Sequence, residues 1–235
     1  MTDYAGIEEI LTTTLRLERR PVAVSFRDTA PTGVRKFTGT QPSGCSFWRL
    51  AAKGDVFYTE PSDHYNCPVG SYTHNIALPA EREQELPNVL SLMSDIGYIR
   101  MEEVGGIPRL PQTPAAIVYA PLAETPIDPD VVLVAGRPGH MMLFQEAATR
   151  AATSVAPMLG RPTCMAIPAA LSGRLASSLG CVGNRIYTGI SEDEFYVVVA
   201  TSTLPSIVEQ LSTIVSANAA LTDYHTNRRA TLATA

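Results

Sequence analysis

Four cysteines are the residues with the clearest capacity for chemistry, and they come as two similar pairs. The first reads Pro42-Ser43-Gly44-Cys45, then 21 residues, then Cys67-Pro68-Val69-Gly70-Ser71-Tyr72-Thr73. The second reads Pro162-Thr163-Cys164, then 16 residues, then Cys181-Val182-Gly183-Asn184-Arg185-Ile186-Tyr187-Thr188. Each pair has a Cys shortly after a proline, a second Cys before a Gly, and a Tyr-Thr a few residues on. Self-similarity of this kind is what an internal repeat leaves in a sequence. The order of a nearby Phe-Tyr differs, with Phe57-Tyr58 before Cys67 and Phe195-Tyr196 after Cys181, so the likeness is not a strict duplication.

Two pseudo-repeated halves would each offer two thiols. Four thiolates at a junction suit a four-iron [4Fe–4S] cluster or a tetrahedral zinc ion. The spacings are not those of a CxxC knuckle, so each ligand would come from its own loop. Cys67 and Cys181 fit best, because a flanking Gly leaves room for a cofactor and exposes N–H groups to its sulfurs. The plain alternative is that the cysteines are small buried apolar residues, as Thr163-Cys164-Met165-Ala166-Ile167 suggests. Two disulfides would satisfy an even count, but a reducing compartment disfavours them.

Three further groups carry chemistry. His64, Cys67 and His74 could hold a transition metal, although their polar loop context predicts surface histidines. His140 stands at the start of a helix that follows an apolar strand, where α/β sheets collect ligands. With Met141 and Met142 it could serve a haem or a copper ion, and the plain reading is a helix-start residue beside two core methionines. Arg185 and Arg137 could bind a substrate carboxylate or phosphate, or they could make surface salt bridges. No GxSxG, HExxH or CxxC motif is present, and Gly136-Arg137-Pro138-Gly139 is neither a Rossmann fingerprint nor a P-loop.

The elements that must position these groups follow from periodicity. Residues 3–18 read as an amphipathic helix carrying Ile7, Ile10, Leu11 and Leu15, stopped by Pro21. Residues 22–26 read as a strand, 28–44 as a loop, 45–52 as a helix ended by Gly54, and 55–59 as a strand. A helix is expected within 81–96. The stretch 105–114, rich in Pro and Gly, reads as the connection between halves 1–104 and 115–222. Strands are expected at 115–119, 131–135 and 194–200, the second reading as buried on both faces. Helices are expected at about 139–155 and from Pro205, with a frayed tail after 222. The fold class is α/β of mixed α+β kind, with the two halves packed as one globular domain.

Composition narrows the classes. The chain has 235 residues, 45% of them hydrophobic, with a formal net charge of −5. That is enough to bury a sizeable core, and the acidic balance argues against a nucleic-acid groove. No apolar run reaches the ~18 residues of a membrane span. Met1-Thr2-Asp3-Tyr4 lacks the basic and apolar regions of a signal peptide, so a cytoplasmic protein is expected.

Several segments taken together resemble the uncharacterised ArCR family, a domain of unknown function. They are Cys45 to Ala52, Phe57-Tyr58-Thr59, Asp63-His64-Tyr65-Asn66-Cys67-Pro68-Val69-Gly70, Asp130 to Gln145, and Leu179-Gly180-Cys181-Val182-Gly183-Asn184-Arg185-Ile186-Tyr187-Thr188-Gly189. The resemblance spans nearly the whole chain. It implies a cysteine-bearing α/β domain and brings no settled activity. It would place Gln or a similar residue near position 140, where this chain has His140.

Three functional readings follow. The first is a metalloprotein holding an iron–sulfur cluster through Cys45, Cys67, Cys164 and Cys181, with a redox or lyase role on a small anionic substrate near Arg185 and Arg137. The second is a haem or tetrapyrrole protein with His140 as axial ligand. The third is a non-catalytic small-molecule binding protein with a structural zinc or no metal. Partners would be a small molecule or a redox protein, with neither nucleic acid nor membrane. The low charge permits a homodimer.

Overall fold

Alternating side chains along each strand divide the apolar residues between two faces of one sheet. Val22 and Val24 point to one core and Ala23 to the other; Val131, Leu133 and Ala135 oppose Val132 and Val134 in the same way. Both faces must therefore be covered. The computed structural model describes residues 2–233 and shows that they are.

The strands are β1 (Val22–Arg27), β2 (Phe57–Thr59), β3 (Ala116–Pro121), β4 (Val131–Gly136), β5 (Ala176–Ser178) and β6 (Phe195–Ala200). They lie in the order β2-β3-β1-β4-β6-β5, and every neighbouring pair is antiparallel. Helices α1 (Tyr4–Thr14), α5 (Pro138–Arg150) and α8 (Leu204–Ala233) cover one face. Helices α2 (Cys45–Ala52) and α6 (Ala166–Ala170) cover the other. Helix α7 (Val182–Thr188) packs beside α2, and α3 (Pro68–Thr73) packs beside the 3-10 turn Thr163–Met165 that leads into α6. Helix α4 (Glu85–Asp95) rests on α3 and buries none of its residues. The result is one mixed α/β domain. No helix among the described residues is long and apolar enough to cross a membrane.

The register is the same on either side of the β1–β4 seam. Val22 pairs with Pro121 as Val131 pairs with Ala200, and Phe57 faces Tyr119 as Ala176 faces Val198. At the seam itself Val22 faces Leu133 and Val24 faces Val131. The stretch 105–114 does not lie at this midpoint, because β3, which follows it, sits between β1 and β2.

Several expected boundaries move. The first helix ends at Thr14, since Arg16 adopts a positive φ of 48° and turns the chain ahead of Pro21. Pro87 falls in the first turn of α4, where its missing N–H costs nothing. The tail does not fray at 222. Helix α8 runs on to Ala233 through Ala217-Asn218-Ala219-Ala220, with no Gly or Pro to stop it.

Candidate thiol centre

Each cysteine sits at the start of a helix or helical turn on the α2/α6 side of the sheet. Cys45 is the first residue of α2, and Cys164 is the middle residue of Thr163–Met165. Cys45 precedes the first residue of β2 by twelve positions, and Cys164 precedes the first of β5 by the same twelve. Cys67 and Cys181 are the N-caps of α3 and α7. Their sulfurs accept the N–H of Gly70 at 3.3 Å and of Asn184 at 3.5 Å. Sulfur thus fills the role that Ser or Asp oxygen plays at an ordinary helix start. All four thiols are free.

The glycines and the arginine of the motifs explain themselves here. A Cβ on Gly70 would lie 2.9 Å from Cys67 Sγ. Gly180 holds a φ of +88°, and a Cβ there would meet the Asn184 amide oxygen at 3.2 Å. The Cys181 N–H donates to Thr163 Oγ1 at 2.6 Å, which ties the last thiol loop to the turn carrying Cys164. Arg185 holds that loop from within. Its guanidinium donates to the carbonyls of Ser191 at 2.8 Å, Glu194 at 3.1 Å and Leu179.

The thiols converge. Each of the six possible pairs is close enough for ionisation of one sulfur to raise the proton affinity of another. Burial is the larger effect. It pushes Cys45 up to about 11, and raises Cys67 and Cys164 as well. Opposing it are Ser43 and Asn184 at Cys45, the N–H groups of Gly44 and Gly70 at Cys67, and Thr73 at Cys164. Thr73 belongs to α3, so a side chain that follows Cys67 reaches the thiol of Cys164. Ionising several of these sulfurs together requires a compensating positive charge between them. Among the described residues, no three His, Cys, Asp or Glu side chains are grouped tightly enough to hold a single metal ion.

Two further residues stand at the centre. Tyr119 of β3 is fully buried, with its ring stacked on Phe47 at 5.6 Å. Its hydroxyl has no hydrogen-bond partner, and it lies within electrostatic reach of Cys45 and Cys164. Asn184 is buried, with neither end of its amide in a formed hydrogen bond, although it lies beside both Cys45 and Tyr196. Asn184 lies inside the Gly-Cys-x-Gly-Asn-Arg motif and could have been singled out. Tyr119 could not, since it reads as one more aromatic in an apolar strand.

His64 and His74 correct the expectation of surface histidines. Both are 2% exposed, and their rings stack with centroids 5.9 Å apart. Thr59 Oγ1 pairs with His64 Nε2 at 2.8 Å, and the Gly70 carbonyl pairs with His74 Nδ1 at 2.9 Å. Asn66 is exposed and Asp63 half-buried, and their polarity disguised the burial. Burial drives the His64 pKa down to about 3 and lowers that of His74, so both rings are neutral.

The remaining candidates lie apart. His140 is in the first turn of α5, and Met141 beside it packs into the α1/α5/α8 core, across the sheet from the cysteines. The parallel-sheet logic that singled out His140 does not apply to an antiparallel sheet. Met142 faces outward at 48% exposure. Arg137 is ion-paired with Glu18 at 2.6 Å and Asp193 at 3.0 Å. Arg185 is taken up by the three carbonyls.

A family model described as uncharacterised ArCR matches residues 10–210. An uncharacterised protein of Methanocaldococcus jannaschii is 33% identical over 113 residues, which is 46% of this chain and 48% of that protein. The chain thus spans about half the length of this curated relative. No solved structure matches.

Proposed function

The chain belongs to the ArCR family, and we propose that it is an iron–sulfur protein whose cluster is held by Cys45, Cys67, Cys164 and Cys181. The observation that carries this reading is the convergence of four thiols from four separate helix starts, up to 136 positions apart in the chain. Core packing alone does not ask for it. Four neighbouring sulfurs, with burial raising the proton affinity of Cys45, Cys67 and Cys164, stand beside unpartnered polar atoms and form a site that a positively charged inorganic core would complete.

The donor set favours a cluster over zinc. Zinc at ≈ 2.3 Å from each thiolate draws the sulfurs to within about 4 Å of one another. Among the described residues, no three His, Cys, Asp or Glu side chains are grouped to hold a single metal ion. A cubane holds its four thiolates further apart and accepts N–H bonds at sulfur. Gly44, Gly70 and Asn184 provide such donors. When bound, the cluster supplies one-electron transfer. The chain's residues hold four part-buried sulfurs near one another and supply hydrogen-bond donors to them. With Arg137 and Arg185 engaged elsewhere, the arrangement supports electron exchange with a redox partner more than lyase chemistry on an anion.

The experiment is metal and labile-sulfide analysis, with a visible spectrum, on protein purified without oxygen or reconstituted with ferrous iron and sulfide. Iron and sulfide in near-equal amounts, with broad visible absorption lost in Cys45→Ser and Cys181→Ser, are expected. Zinc without sulfide, a haem spectrum that survives Cys45→Ser, or no metal after reconstitution would each overturn the reading.

A further inference from the structure

We propose that the hydroxyl of Tyr119 and the side-chain amide of Asn184 donate hydrogen bonds to the sulfurs of the group held by the four cysteines, and so set how readily it accepts an electron. The proposal rests on the thiol-centre reading and adds two positioning residues to it.

The Tyr119 ring is fixed on several sides. Phe47 stacks on it at 5.6 Å with 26° between planes, Phe57 lies at 5.6 Å, and His64 at 6.4 Å. These contacts need only an aromatic ring, and Phe would make them all. The hydroxyl adds a polar atom in full burial with nothing to bond. Such an orphan ordinarily costs stability. It stands where Cys45 and Cys164 pack against the same core. Asn184 repeats the pattern from the other side. Its backbone N–H caps onto Cys181, and its side chain, 1% exposed, approaches Cys45 without completing a bond. Two orphaned donors, one on a strand and one on a helix, therefore lie beside the same thiols, Tyr119 in the core that Cys45 and Cys164 pack against and Asn184 at Cys45. Burial keeps the phenol protonated, so it can only donate to a thiolate or sulfide. Donation to sulfur favours the more negative, reduced state and raises the potential.

The test compares wild type with Tyr119→Phe and Asn184→Ala, each reconstituted without oxygen using ferrous iron and sulfide. Iron and sulfide contents should match, while the reduction equilibrium constant falls about tenfold in Tyr119→Phe, or ~59 mV for one electron. Equal potentials in wild type and both variants would overturn the proposal while leaving the cluster reading intact. A wild type that takes up no cluster would overturn the reading itself. A second arm needs no cluster. Without iron, Tyr119→Phe should match or exceed wild type in its urea midpoint, because it deletes an unsatisfied hydroxyl. A clear loss of stability there would show that the hydroxyl already has a partner, and the proposal would fail.

Discussion

The Gly70 N–H donates to Cys67 Sγ over 3.3 Å, and a Cβ at position 70 would lie 2.9 Å from that same sulfur. One geometric fact thus explains why a glycine stands three residues after this cysteine. The sulfur occupies the space a side chain would need, and it faces the helix end because a backbone donor meets it there. The same relation recurs in weaker form at Cys181, where Asn184 supplies the N–H at 3.5 Å. Cys67 and Cys181 are therefore each held by a donor from their own local backbone.

Gly70→Ala should move the Cys67 sulfur. Overpacking of this kind costs about 1–3 kcal/mol, so the urea midpoint should fall and iron retention with it. Gly183→Ala is the control, since a Cβ there meets Tyr187 at 3.5 Å, an ordinary contact. Within a helix that change should be neutral or mildly stabilising. Equal behaviour of the two variants would show that the Cys67 position tolerates displacement.

The elements were legible because periodicity and punctuation are local. Val131 to Ala135 reads as a strand buried on both faces, and it is one. The helix at Cys45–Ala52 stops before Gly54, whose φ is +115°. What the sequence could not show is how far apart in the chain the partners lie. Nothing local says that Thr73 reaches Cys164, or that a tyrosine on β3 lies beside thiols from two other segments. Nor does a single segment reveal that its neighbours in the sheet are all antiparallel, which removes the reason for reading His140 as a ligand site. The buried histidines were hidden for a related reason. Their flanking polar residues describe the outer side of the segment, while the rings describe the inner one.

The thiols predict an alkaline limit to stability in protein freed of metal. Cys45 rises from an ordinary 9.0 to about 11. Its folded pKa exceeds the unfolded value, so its contribution is complete below pH 9 and is lost as pH climbs to about 11. For this one group the loss is on the order of 3 kcal/mol. Urea unfolding between pH 8 and 11 should show the decline, shallower in Cys45→Ser. Iodoacetamide should label Cys45 slowly at neutral pH and faster only as pH approaches about 11. Rapid labelling near pH 7 would contradict the burial of this sulfur.

The histidines predict the opposite limit. His64 falls from 6.5 to about 3 because it is buried without an ionic partner, and His74 is lowered for the same reason. A depressed histidine stabilises fully above its unfolded pKa, and the gain is lost as pH falls from 6.5 toward 3. Each ring contributes a slope of up to about 1.4 kcal/mol per pH unit. Urea midpoints between pH 7 and 4 should drop steeply, and His64→Gln should flatten the drop even if the variant starts lower. A midpoint that stays level across this range would mean that the rings are charged or exposed.

Arg185 separates a structural role from a substrate role. Its guanidinium serves the carbonyls of Leu179, Ser191 and Glu194, closing the loop that carries Cys181 and Asn184. Removing it leaves carbonyls without their donor in a part-buried setting, at about 1–3 kcal/mol. Arg185→Ala should therefore lower the thermal midpoint and loosen the loop. It should also speed hydrogen exchange at the N–H groups of Cys181 and Asn184, which bond to Thr163 and to the Cys181 sulfur. Arg185→Lys should recover little, because one ammonium cannot span three carbonyls. Arg137→Ala is the comparison: its partners Glu18 and Asp193 are both exposed, so stability should change by less than about 1 kcal/mol. If Arg185→Ala left the midpoint and exchange untouched, the guanidinium would be free for an anion, and the lyase reading would regain its binding group.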